Sequence, residues 1–203
     1  MARGLEDRFS GAMLGHCLGD SLGAIWEGSP PFYGQLKTDI PLFRYTDDTE
    51  MMINLTEAIL QDGDVIAQTV AEKFVKGFTP TRGYGPGTIR VIELIKKGVP
   101  YQEATRAYFP EGSMGNGAAM RVTPVGLFYH RDLKRLKDAV KIQAEVTHAH
   151  PLAIEGAKVV ALSVAMALRG VSLEAIPDEL LPHIESPEIK RKVLEVKEIV
   201  LSG

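Results

Sequence analysis

The stretch Tyr45–Gly63, YTDDTEMMINLTEAILQDG, decides how the chain is read. Met52, Leu55 and Ile59 recur at three- and four-residue spacing, the period of one helix face. Asp62-Gly63 is a stop signal, and the polar run before Met51 is the kind of start a helix N-terminus needs. The pattern predicts a helix from about Thr46 to Gln61. Its first five residues, Thr46 to Glu50, are three acids and two threonines, more than one cap requires. Asp47 followed by Glu50 reads as a capping box, and acids favour the positive end of a helix. Adjacent carboxylates also repel one another unless a cation neutralises them, and Mg²⁺ takes oxygen ligands of this kind. On these residues alone both readings stand.

Working outward, helical periodicity continues on both sides. Upstream, Phe9, Met13 and Cys17 share a face, with Leu14, Leu18, Leu22 and Ile25 beside them. Gly11, Gly15, Gly19 and Gly23 recur every fourth residue, which predicts a flat stripe where another backbone approaches closely. A loop rich in Gly, Pro and aromatics runs from Glu27 to Arg44. Downstream, helices are predicted over about Val65–Gly77, Ile89–Lys97, Gln102–Tyr108, Ala118–Tyr129 (bent or started by Pro124), Asp132–Val146 and Pro151–Arg169. Pro151 suits a first helical position. Ser186-Pro187-Glu188 caps a last helix that runs to the end of the sequence. No alternating pattern of strand type exceeds a few residues, and no repeat or linker is visible. The expected fold is all-α, a compact orthogonal helical bundle, with residues 1–203 as one domain.

Composition narrows the function. With 45% hydrophobic and 24% charged residues, the chain is neither disordered nor fibrous. A net charge of -3 without a basic tract gives no reason to expect nucleic acid as partner. The one cysteine, Cys17, excludes an intrachain disulfide and fits a reducing compartment, so a cytoplasmic location is expected. The N-terminal residues have no long apolar segment of secretory type. The apolar run Ala157–Leu168 contains Lys158 and is too short for a membrane span, so it is read as a buried helix and no membrane partner is expected.

Four further motifs bear on chemistry. In GDSLGAIWEG, Gly19–Gly28, Asp20 lies inside an apolar, glycine-striped helix. A buried carboxylate must be paired or must hold something. Capping a neighbouring helix, pairing with an arginine and lining a site are all open to it, and Glu27 follows where the loop begins. GSMGNGAAM, Gly112–Met120, is a small-residue loop entering a helix, which lets backbone N–H groups approach phosphate or ribose oxygens. Asn116 between glycines equally suits a turn without a ligand. THAHP, Thr147–Pro151, places His148 and His150 between two helices, a poor zinc set without a third ligand. RGYGPG, Arg82–Gly87, is a loop whose Tyr84 either stacks on a base or packs on the core.

Taken together and in order, GDxxGxxxE, TDDT at a helix start, RGYG, GSxGNGAAMR and THxHP resemble the ADP-ribosylglycohydrolase family, of the dinitrogenase reductase activating glycohydrolase and ADP-ribosyl hydrolase type. The resemblance runs from about Arg8 to Leu168. It implies an all-helical fold with a binuclear Mg²⁺ (or Mn²⁺) centre in a cleft. It also implies cleavage of the ADP-ribose C1″ bond in an ADP-ribosylated protein or a small ADP-ribose conjugate. By motif, Thr46, Asp47 and Asp48 would be metal ligands and Glu27 the glutamate that works on water or the leaving group. Asp20 would line the cleft. Ser113, Met114, Gly115, Asn116 and Gly117 would hold the diphosphate and distal ribose, His148 would contact the ligand, and Tyr84 and Gly85 would form the site wall. A glycosidic bond to ribose breaks through an oxocarbenium-like state, which such a site suits.

One departure is plain. The family's remaining metal ligands come from a C-terminal motif of the type GGDxDT. After Pro151 this chain has no such motif, and Asp178 stands beside Glu179 rather than in D-x-D. The expectation is a C-terminally shortened member with half of the metal site. Such a chain would be a hydrolase, a non-catalytic ADP-ribose binder, or a structural remnant that dimerises through newly exposed apolar surface.

Overall fold

The computed structural model describes residues 4–28 and 44–202. Of the predicted loop from Glu27 to Arg44, residues 29–43 lie outside the described residues. The described residues form α-helices and two short 3₁₀ turns, with no strand among them. In chain order the helices are α1 (Leu5–Gly23), α2 (Asp47–Asp62), α3 (Ala67–Gly77), α4 (Pro86–Lys96), α5 (Tyr101–Ala104) and α6 (Gly117–Met120). Then come α7 (Thr123–Phe128), α8 (Leu133–Glu145), α9 (Pro151–Leu168), α10 (Ile176–Leu180) and α11 (Pro187–Ser202). The all-α class is as the periodicity predicts.

Two groups of helices make the frame. α2 packs along α3, and α9 packs against α6, α7 and α8. Met51, Leu55, Phe74, Val122, Leu136 and Leu162 meet in one core and are almost wholly excluded from solvent. Burial of each such side chain contributes about 1.5–3 kcal/mol. By length and composition alone α9 could cross a membrane. Here it is a core helix, with Ala157, Ala161, Leu162 and Ala165 fully buried. Its Glu155 carboxylate accepts the backbone N–H groups of Glu185 and Ser186, just ahead of α11. A buried acid on one helix thus satisfies free donors at the start of another.

Four sequence expectations need correction. The predicted helix Ala118–Tyr129 is two, α6 and α7, because Pro124 has no N–H to give to Met120 and instead starts a new helix. The predicted Gln102–Tyr108 piece is helical only as far as Ala104. α10 and the 3₁₀ turn Leu181–His183 were not predicted; each carries a proline in its first turn. The glycine stripe of α1 is not a close-packing seam. A Cβ built on Gly11, Gly15, Gly19 or Gly23 meets nothing within 4 Å. Close approach occurs instead at Gly126 of α7, where a Cβ would lie 2.6 Å from the Ala161 carbonyl oxygen of α9. Leu14, Leu18 and Ile25, read as lying beside the Phe9, Met13 and Cys17 face, are exposed.

Candidate functional site

The site is organised by the start of α2. Thr46 is the N-cap, its hydroxyl oxygen accepting the Asp48 N–H at 3.3 Å, and not Asp47 as the capping-box reading had it. Asp20 reaches across from α1 and completes the cap. Its Oδ2 accepts the N–H of Thr46 at 2.8 Å, the N–H of Thr49 at 3.2 Å and the Thr49 hydroxyl at 2.5 Å. Its Oδ1 accepts the Thr46 hydroxyl at 2.6 Å. Both carboxylate oxygens are therefore occupied by protein donors. Of the readings open to Asp20, the structure shows two together: it caps a neighbouring helix and it borders a cavity at that helix start.

Glu50, three residues after Asp47, does not turn back to the cap. Buried, it accepts the Thr79 N–H and the Tyr84 hydroxyl, each at 2.8 Å, and Arg82 lies 3.6 Å away. It ties the RGYG loop to α2. Tyr84, expected on the site wall, packs in the core edge-on to Phe78 at 4.8 Å between ring centres. Burial and the Glu50 bond raise its phenol far above the usual range. Gly85 does line the cleft.

With Asp20 and Glu50 engaged, Asp47 and Asp48 are the acids of the α2 start left to face the cleft, with Glu27 across from them. Burial pushes the Asp47 carboxyl up to about 7, helped by the charge of Asp48 and, more weakly, by Glu27 and Asp20. Asp48 is raised as well, by burial and by Asp20. Two carboxylates that resist losing their protons are what a cation would relieve. The donor set fits a divalent ion only in part. Among the described residues no group of three or more His, Cys, Asp or Glu side chains is placed to hold a metal.

Two cavities flank this pair. One, of about 480 Å³, is lined by Asp48, Thr46, Asp20, Glu27 and His16 among others. The second, of about 210 Å³, is lined by Asp47, Gly85, Ser113, Gly115, Gly117 and His148 among others. Asn116 borders both. Of the predicted loop residues only Met114 turns away, 65% exposed and on neither wall. Ser113 accepts the Gly115 N–H at 3.1 Å and so shapes the loop. Gly117 is glycine because the His148 ring is seated on it: a Cβ there would fall 2.3 Å from the ring. The larger cavity of about 740 Å³, between α1, α7 and α9, meets the site only at His16.

Sequence reasoning missed His16, whose Nδ1 bonds the Thr123 hydroxyl at 3.0 Å and whose ring borders the cavity of Asp48. Its spacing of one turn before Asp20 was the available signal. It also missed the anchoring by Glu50 and the buried Arg121, whose oxygen partners come from α8 and the residues after it.

Acids paired at a helix start, facing a small-residue loop and a histidine across an acid-lined cleft, define a helical protein with a polar cleft. The chain belongs to the ADP-ribosylglycohydrolase family, whose model matches residues 1–202. It is 32% identical over 209 residues to the ADP-ribosylhydrolase ARH3 of Xenopus tropicalis, covering 95% of this chain and 59% of that protein. It is 33% identical over 196 residues to an uncharacterized protein of Archaeoglobus fulgidus, covering 90% of this chain and 63% of that one. A solved ADP-ribosylglycohydrolase-related protein complex superposes with a TM-score of 0.74 at 28% identity, covering 93% of this chain and 66% of that one. The chain thus spans about 60% of the length of these curated relatives.

Proposed function

We propose that this chain binds ADP-ribose conjugates, an ADP-ribosylated protein or a small molecule, and hydrolyses the C1″ glycosidic bond. The observation that carries the reading is the placement of Asp47 and Asp48 on two cavities joined at Asn116. One cavity holds Glu27 and the other the glycine loop with His148, so reactive and binding groups lie on either side of the same acid pair. Asp47, Asp48 and Thr46 would hold Mg²⁺ or Mn²⁺, which when bound supplies charge stabilisation and an activated water. Asn116 and the Ser113–Gly117 loop would orient the diphosphate and ribose. Glu27 would move the proton, toward the leaving oxygen or from the attacking water, worth about 10²–10⁴-fold.

A second reading is favoured by a specific observation. Both Asp20 oxygens already accept protein donors, and among the described residues no group of three carboxylates or imidazoles is placed to hold a metal. An ADP-ribose binder without turnover fits that donor set. A structural remnant that dimerises through exposed apolar surface is the reading left if neither activity is found.

Calorimetric titration with ADP-ribose, with and without Mg²⁺, on the wild type and on Asp47→Ala/Asp48→Ala, separates these. Mg²⁺-dependent binding lost in the double variant, together with release of ADP-ribose from a conjugate, supports the hydrolase. Binding without release supports the binder. Absence of binding under both conditions removes both.

A further inference from the structure

Arg121 is the largest of the fully buried side chains, and among the described residues no carboxylate pairs with it. Three neutral oxygens hold it instead, and Met51 Sδ lies 3.7 Å from one of its terminal nitrogens. Its Nε donates to Gln143 Oε1 at 2.7 Å, one terminal nitrogen donates to the Gln143 carbonyl at 2.7 Å, and the other donates to Thr147 Oγ1 at 2.8 Å. The guanidinium carbon lies 4.5 Å from the centre of the Phe74 ring. Gln143 is itself fixed, its amide nitrogen donating to the Ala118 carbonyl at 3.0 Å. Its oxygen therefore has to face the arginine. A buried cation with no counter-charge is expensive to keep, and it needs a reason.

The reason lies one bond further on. A guanidinium only donates, so Thr147 Oγ1 gives it a lone pair. The hydroxyl's other neighbour is His148 Nδ1 at 2.7 Å. Among the described residues the Thr147 proton has no other acceptor within hydrogen-bond distance. The hydroxyl therefore donates to Nδ1, which must be the unprotonated ring nitrogen, and the ring proton sits on Nε2. That edge of the ring rests on the glycine loop and borders the cavity of Asp47.

We propose that Arg121 and Thr147 are positioning residues that lock His148 in its Nε2–H form, so that it serves the cleft as a fixed hydrogen-bond donor to a ligand oxygen. In this form Nε2 neither takes a proton from substrate nor ligates a metal. Burial and the charge of Arg121 also push the His148 imidazole down to about 3, which keeps it neutral. The inference rests on the ADP-ribose reading only for which oxygen is met, a phosphate or a ribose hydroxyl; the lock itself belongs to the free protein.

The test is nitrogen NMR of ¹⁵N-histidine-labelled chain at neutral and mildly acidic pH, with His148→Asn assigning the resonance among the 5 histidines. His148 is expected to show Nε2 protonated and Nδ1 bare at both pH values. Thr147→Val, similar in shape but without the hydroxyl, should give mixed tautomers and weaken ADP-ribose binding about tenfold. Thr147→Ser should restore both. A wild-type ring protonated on Nδ1, or charged at neutral pH, overturns the proposal, as does an unchanged tautomer in a folded Thr147→Val. The wild-type spectrum can overturn the proposal even if Thr147→Val does not fold, and Thr147→Ser then supplies the comparison that keeps the hydroxyl. Failure to bind ADP-ribose with the lock intact would refute the proposed function and leave this inference standing.

Discussion

Asp47 and Asp48 cannot avoid each other, and burial raises the cost of charging both. With Asp47 raised from 3.8 to about 7, the folded chain binds more protons than the unfolded chain between those values. The contribution of Asp47 to stability then falls as pH rises through that window and is greatest on its acid side. A divalent cation competes with the proton for the same oxygens and should cancel much of the loss. Thermal melts across this range are expected to show a falling Tm without divalent ions and a flatter profile with Mg²⁺, with Asp47→Asn shrinking the slope. A Tm indifferent to Mg²⁺ above neutral pH would leave the acids without a metal role. Gly117 is the other residue with little freedom. Gly117→Ala drives a methyl into the His148 ring and should cost about 1–3 kcal/mol of stability, together with displacement of the ring from the cleft. Urea denaturation reads the first effect and ADP-ribose titration the second.

Three acids on helices do the same job at a distance: Asp20 of α1 at the start of α2, Glu50 of α2 at Thr79, and Glu155 of α9 ahead of α11. Removing such an acceptor leaves several donors without partners. Asp20→Ala is expected to destabilise the chain by about 1–2 kcal/mol whether or not Mg²⁺ is present, measured by urea denaturation in both conditions. A loss seen only with Mg²⁺ would instead make Asp20 a ligand. Gly126→Ala tests the α7–α9 contact and should cost about 1–3 kcal/mol by the same measurement. These elements also show what the sequence could and could not reveal. α2, α3, α8 and α9 were legible because apolar period, start and stop signals agree locally. The break between α6 and α7 was half legible, since Pro124 announces a start without saying that the preceding turn ends at Met120. The pairing of Glu50 with Tyr84, and of Arg121 with Gln143 and Thr147, was not legible, because each joins residues far apart in sequence whose partner types are common.

For the molecule as a whole, the cleft is made where α1 meets a core that does not depend on it. α1 contributes no buried residue, yet it brings Asp20 and His16, and Glu27 follows in the turns after it. Its polar ties to α2, α7 and α9 are Arg8 to the Leu168 carbonyl at 2.9 Å, His16 to Thr123 and Asp20 to the start of α2, and its Phe9 ring lies edge-on to His130. A helix with little buried apolar area and hydrogen bonds near solvent belongs to the low-stability end of a fold. Backbone amides of α1 should therefore exchange with deuterium well before those of α2, α8 and α9. A ligand that engages Asp48 and Glu27 binds only the docked arrangement, so it must favour docking by the same free energy with which docking favours it. ADP-ribose with Mg²⁺ is expected to slow exchange in α1 and to leave the core helices nearly unchanged. Asp20→Ala should speed exchange in α1 without ligand and weaken the protection that ligand gives. Uniform exchange across α1 and α9 would mean that the cleft is part of one cooperative unit, and that ligand binding has no docking equilibrium to act on.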